Sequence, residues 1–109
     1  EAPPVSDHEH ESIALYNQAS AMILAALVEH TIEPSWERLR QTAEAGALAV
    51  FDQLLARHPT YGRGFSGKAN AYDNLRRHAP TADERASYRR LALEGWEAAK
   101  RARYVPPAS

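Results

Sequence analysis

The chain has 109 residues, 44% of them hydrophobic and 25% charged, a formal net charge of −1 and no cysteine. That length suits one domain with one core, and the absence of cysteine excludes disulfide, zinc-thiolate and thiol chemistry. The longest apolar run, Ala21 to Val28, is too short to span a bilayer, so no membrane insertion by this segment is expected. Charge is unevenly spread. Residues 1–59 hold 3 Lys/Arg and 9 Asp/Glu, a balance of −6, while residues 60–109 hold 10 and 5, a balance of +5. A basic half can steer an acidic partner, although most charged helix faces are simply solvated.

Residues 1–5 and 105–109 read as Pro-rich tails, leaving residues 6–104 as one helical domain. Ser6-Asp7-His8-Glu9 is a capping box that opens a first helix: Ser6 can accept from the Glu9 amide while Glu9 reaches back. Apolar residues then recur at helical spacing at Ile13, Tyr16, Ala19, Ile23 and Leu27. Pro34 cannot continue this helix, so it ends near His30. A second helix starts around Pro34, with the stripe Trp36, Leu39, Ala43, Ala47, Val50, Phe51, Leu54 and Leu55. It stops at His58, because the residue before Pro59 is pushed out of the α region. A third helix runs from about Gly62 to Arg77, with Phe65, Ala69, Tyr72 and Leu75 on one face. Thr81-Ala82-Asp83-Glu84 is a second capping box. It opens a fourth helix that buries Tyr88, Leu91, Ala92, Trp96 and Ala99 and stops before Pro106. No segment alternates with period two. The expected fold is all-α: four antiparallel helices joined by short turns into two helical hairpins.

Gly62-Arg63-Gly64-Phe65-Ser66-Gly67-Lys68 fits the spacing of both a phosphate loop and a dinucleotide fingerprint. Each needs a preceding strand, and a phosphate loop also needs Ser or Thr after the lysine to hold magnesium. Here a helix precedes the loop and Ala69 follows the lysine, so both readings fail and no cofactor is expected. The stretch is better explained as a junction between two packed helices. Gly67 and Ala69 would be small because another helix passes close by, and Lys68 would carry its charged head to solvent.

Helical hairpins raise the question of repeats. Ala47, Phe51, Leu54 and Pro59 have the small, aromatic, apolar and proline spacing of the second half of a tetratricopeptide (TPR) repeat. Phe65, Ala69 and Tyr72 continue in register, with Lys68 departing from the pattern, and Ala92, Trp96 and Ala99 repeat the small/aromatic/small order. The chain resembles the TPR family over roughly residues 45–104, which implies right-handed stacking of the hairpins. Residues 78–87 form a longer connection than an ordinary repeat turn, and the first helix departs from the family's opening half. A narrower resemblance covers Ala47 to Leu75. The residues Arg63, Gly67-Lys68-Ala69, Asp73 and Leu75 look like the TPR region that precedes the oxygenase domain of aspartyl/asparaginyl β-hydroxylases, enzymes that use iron and 2-oxoglutarate. That resemblance implies the non-catalytic region of such a protein, and a place in the endoplasmic reticulum lumen or another exported compartment.

The third helix carries the candidate binding face. In TPR proteins the first helix of each repeat lines the concave groove. The corresponding positions here are Arg63, Ser66, Asn70, Asp73, Asn74 and Arg77, all polar and away from Phe65, Ala69 and Tyr72. Asparagine can donate to and accept from a peptide backbone at once, arginine suits an acidic partner residue, and Asn70 sits where several peptide-binding TPR proteins also carry Asn. A solvated helix face is the competing reading.

His8 and His10 are two apart and do not share a helix face, so no metal site is expected. His30, His58 and His78 fall near helix ends, where a positive imidazole is favourable at a C-terminus. No Ser/His/Asp set or carboxylate pair stands out, so no catalytic residue is assigned. The expectation is a non-catalytic interaction or scaffolding domain that binds a protein or peptide, with an acidic one among the candidates and self-association left open. The alternative is an all-α domain whose basic C-terminal half, including Arg76, Arg85, Arg89, Arg90, Lys100 and Arg101, binds an acidic partner or nucleic acid. The acidic first half disfavours the nucleic acid.

Overall fold

The computed structural model describes the backbone of residues 7–103 and the side chains of residues 9–102. The capping box at Ser6 and both tails therefore lie outside the described residues. Five helical segments follow one another: α1 (Asp7–Ile32), α2 (Trp36–Ala45), α3 (Ala47–Arg57), α4 (Gly62–His78) and α5 (Ala82–Arg103). The fold is all-α, and no strand occurs among the described residues.

The second expected helix is interrupted at Gly46, with φ −107° and ψ −93°, so it forms the two segments α2 and α3. Counted across that single residue, the described residues form four helices. Hydrogen bonding carries through the break: the Gly46 N–H reaches the Thr42 carbonyl at 2.9 Å, and the Val50 N–H reaches the Gly46 carbonyl at 3.0 Å. Glycine suits the site because a Cβ there would lie 2.8 Å from Met22 Cε and 2.9 Å from the Thr42 oxygen.

The other helix boundaries have local causes. Ser35 caps α2, accepting from the Arg38 N–H at 3.3 Å. The Glu84 N–H bonds Thr81 Oγ1 at 3.1 Å at the start of α5. The reciprocal arm of that capping box takes another form, since the Thr81 hydroxyl donates to Glu84 Oε1 at 2.7 Å. Glu84 Oε2 then accepts from the Trp36 indole at 3.0 Å and ties α5 to α2.

The core is built from Ala19, Ile23 and Ala26 of α1, Leu39 and Ala43 of α2, the inner face of α3, and Ala71 and Leu75 of α4. Phe51, Leu54 and Leu75 are its largest fully buried side chains. Ala26 joins this core although the expected stripe omits it, whereas Ile13 belongs to that stripe and stays 45% exposed. α1 lies along α2 and α3, and α4 lies along α5. The two groups meet chiefly where α3 and α4 cross, which needs small residues. A Cβ on Gly67 would lie 2.6 Å from Phe51 Cε1, and one on Gly64 would lie 2.9 Å from Leu55 Cδ2. Gly95 gives α5 a similarly close approach to α4, since a Cβ on it would lie 2.8 Å from Ala69 Cβ. Lys68 does not run free to solvent: its Nζ pairs with Asp52 of α3 at 2.6 Å.

α5 packs along α4, touches α2 through Trp36, and does not meet α1. The molecule is accordingly elongated, 50 × 27 × 20 Å. This one-sided support also explains why Ala92 and Ala99 are buried while Tyr88, Leu91 and Trp96 are only half-buried.

Candidate functional site

Arg63, Ser66, Asn70, Asp73, Asn74 and Arg77 fall on one face of α4, since their spacings of three and four repeat at the helical period. Two contacts orient that face. On one side the Arg63 guanidinium lies over the Tyr16 ring of α1, 4.9 Å from its centroid. On the other, the Trp96 indole of α5 donates to Asn70 Oδ1 at 3.2 Å. The face therefore looks into the space between α1 and α5, which those two helices leave open. Arg63, Asn70 and Arg77 are exposed, and Ser66, Asp73 and Asn74 are half-buried.

The six side chains differ in how committed they are. Asp73 is held by Arg76 Nε at 2.8 Å and Arg77 Nη2 at 3.0 Å, so its charge is answered within the helix. Ser66 turns back to the Gly62 carbonyl at 3.5 Å, and the Asn74 amide donates to the Asn70 carbonyl at 3.0 Å. The Asn70 side-chain amide is different. An indole N–H can only donate, so the Asn70 oxygen must face Trp96 and its NH₂ group points away. No acceptor for that NH₂ is found among the described residues. The face thus presents two arginines and an outward amide donor beside an indole. Such a surface matches carboxylates and peptide carbonyls.

Sequence reasoning placed Trp96 in the core. It instead edges the candidate face, and it gets there by a contact 26 positions away in sequence. Tyr16 is a second addition, contributed from α1. Trp96 shares its helix face with Ala92 and Ala99, the residues that turn towards α4, so spacing alone gave no sign that it edges the candidate face.

The histidines take structural places. His58 is 4% exposed, and its Nε2 lies 2.9 Å from Glu11 Oε1 of α1. The same Glu11 oxygen pairs with Arg57 Nε at 2.9 Å. His30 and His78 face each other edge-on at the ends of α1 and α4, with centroids 4.9 Å apart, and His30 Nδ1 accepts from the Ser35 N–H at 3.2 Å. Burial, then the neighbouring His30 and Arg77, push the His78 imidazole below its usual range, against the helix-end cation expected there. Among the described residues, no three His, Asp or Glu side chains gather as metal ligands.

The helix Glu9–Ile32 is long and apolar enough to cross a membrane by length and composition. It outruns the short apolar segment read from the sequence, and its inner side packs in the core through Ser12, Ala19, Ile23 and Ala26. Family models, curated proteins and solved structures were compared with the chain, and none matches it.

Proposed function

We propose that this chain is a non-catalytic, TPR-like interaction or scaffolding domain that receives an acidic protein segment on the open face of α4. The observation that carries the reading is the pairing of Arg63 and Arg77 with the outward amide of Asn70, on a face flanked by α1 and α5 but covered by neither. The close helix crossings support the TPR-like part, since the pattern's aromatic Phe51 sits against Gly67 and its small Ala69 sits against Gly95. On the narrower resemblance, the domain accompanies an aspartyl/asparaginyl β-hydroxylase oxygenase domain, and any catalysis belongs to that other domain.

The test is binding of a fluorescent Asp/Glu-rich peptide to the chain and to its Asn70→Ala/Asn74→Ala variant. Affinity should fall while helicity and melting stay nearly unchanged. Equal affinity for both proteins would remove the assignment.

A second reading draws on Arg89, Arg90, Lys100 and Arg101, all exposed along α5. In it the basic half binds nucleic acid. Oligonucleotide affinity that falls steeply with salt, and that survives changes on the α4 face, would favour that reading.

A further inference from the structure

α1 has two apolar sides. Its inner side is core, yet Leu24, Val28 and Ile32 on the opposite side are 61%, 58% and 79% exposed. Spaced four apart, they form one stripe, with Ala14, Ala21 and Ala25 exposed beside it. From Ser12 to Val28 there is no charged residue. A helix that is apolar all round is built to be buried all round, and a solvent-facing helix at the end of a stack normally carries a polar outer side. The stripe also runs into a shallow groove between α1 and α2 lined by Met22, Ala25, Ala45 and Gly46.

The other end of the molecule carries a second helix with an uncovered outer side. The outer side of α5 holds a shallow groove around Leu93, which is 50% exposed, with Ala86, Arg89, Arg90 and Arg101 about it. Glu94 and Glu97 lie there too, answered by Arg90 at 4.0 Å and Lys100 at 3.7 Å. Neither Arg89 nor Arg101 has a carboxylate partner among the described residues.

The two surfaces are opposite in charge. No Lys or Arg occurs before Arg38, and Glu9, Glu11, Glu29 and Glu33 bracket the α1 stripe. Glu11 and Glu29 are paired with Arg57 and Arg38 within the chain, whereas Glu33 has no cationic partner among the described residues. The halves balance at −6 and +5, so the chain nearly neutralises itself when the acidic end of one copy meets the basic end of another. A bilayer offers the stripe no such match, because surface helices lean on Lys and Arg around the apolar side.

We infer that the outer face of α1 is a docking surface for a second copy of this chain, head to tail, with the α5 face of the neighbour set around Leu93. Such a contact uses two different surfaces. It does not close on itself at two copies and extends to longer assemblies. It is separate from the α4 face, so either can fail without the other.

The experiment is sedimentation of the full chain over a concentration series at low and high salt. Average mass should rise beyond a dimer with concentration and fall with salt. Val28→Glu should block the α1 face and Leu93→Glu the α5 face, each weakening association on the order of tenfold or more. Both positions are exposed, and circular dichroism checks that both variants keep their helicity. Mixing the two variants should restore a complex that stops at one of each, since each retains the face the other has lost. Three results would overturn the inference: a chain that stays monomeric throughout the series, a closed dimer indifferent to Leu93→Glu, or transfer to phosphatidylcholine vesicles in place of self-association.

Discussion

The Trp96 indole N–H points at Asn70 Oδ1 across 3.2 Å, joining α5 to the polar face of α4 at its middle. The bond sits at the surface, so it positions the two side chains more than it stabilises the fold. Net values for such bonds are about 1 kcal/mol. Asn70→Ala should move the Trp96 indole N–H resonance upfield with little change in melting. Asn70→Asp keeps an acceptor and should leave the resonance near its place, while removing the outward amide donor and lowering peptide affinity. A resonance unmoved in Asn70→Ala would mean the contact does not form in solution.

Gly67 can be tested as the residue that sets the α3–α4 distance. In an open helix, glycine to alanine gains up to about 1 kcal/mol. Here the new methyl would meet Phe51 Cε1 at 2.6 Å and Tyr16 Cε2 at 3.0 Å, both in rings that hold the core. Overpacking of this kind costs about 1–3 kcal/mol, so Gly67→Ala should lower the urea midpoint. Combining it with Phe51→Leu should destabilise by less than the sum of the two single changes, because the pair shares one space.

Glu11 of α1 holds two groups at the end of α3, the imidazole of the buried cap residue His58 and the Arg57 guanidinium, each at 2.9 Å. Glu11→Ala leaves the imidazole without that acceptor. A loss of about 1–3 kcal/mol is expected in chemical denaturation. Glu29→Ala removes only an exposed pair with Arg38 and should cost at most about 1 kcal/mol.

His78 gives the fold an acid-sensitive element. Burial, the facing His30 and the adjacent Arg77 all disfavour its charged form, so its native affinity for a proton is below that of an unfolded histidine near 6.5. The unfolded chain then binds the proton more readily. This contribution to stability is complete above pH 6.5 and is lost as pH falls from there towards the depressed native value. Thermal melts through that window should show the loss, and His78→Asn should flatten it.

Much of the architecture was legible because it has local causes. Pro34, Pro59 and Pro80 punctuate the helices, and Ser35 and Thr81 cap them with their own side chains. The stripe from Leu39 to Leu54 is core because α2 and α3 have one polar side each. α1 misled for the opposite reason. With apolar residues all round it, spacing cannot say which side is inner, so Ile13 was expected in a core that takes Ala26 instead. The break at Gly46 was not legible, since a lone glycine inside a helical pattern is compatible with an unbroken helix. Of the binding face, the residues of α4 followed from their spacing, but Trp96 and Tyr16 reach it through tertiary contacts that no local pattern encodes.

The unequal support of α5 has a dynamic consequence. Besides α4, its links among the described residues are the Trp36 bond to Glu84 and the edge-on contact of Trp36 with Tyr88 at 5.9 Å, both within its first two turns. The helix is pinned at one end and rests on a single rail thereafter. Opening should start at the far end and travel back towards that pin, like a zipper with one fixed stop. Amide protection measured by hydrogen exchange should decline steadily from Tyr88 to Ala102. The stretch carrying Leu93 and Arg101 would then be the most adaptable surface of the protein.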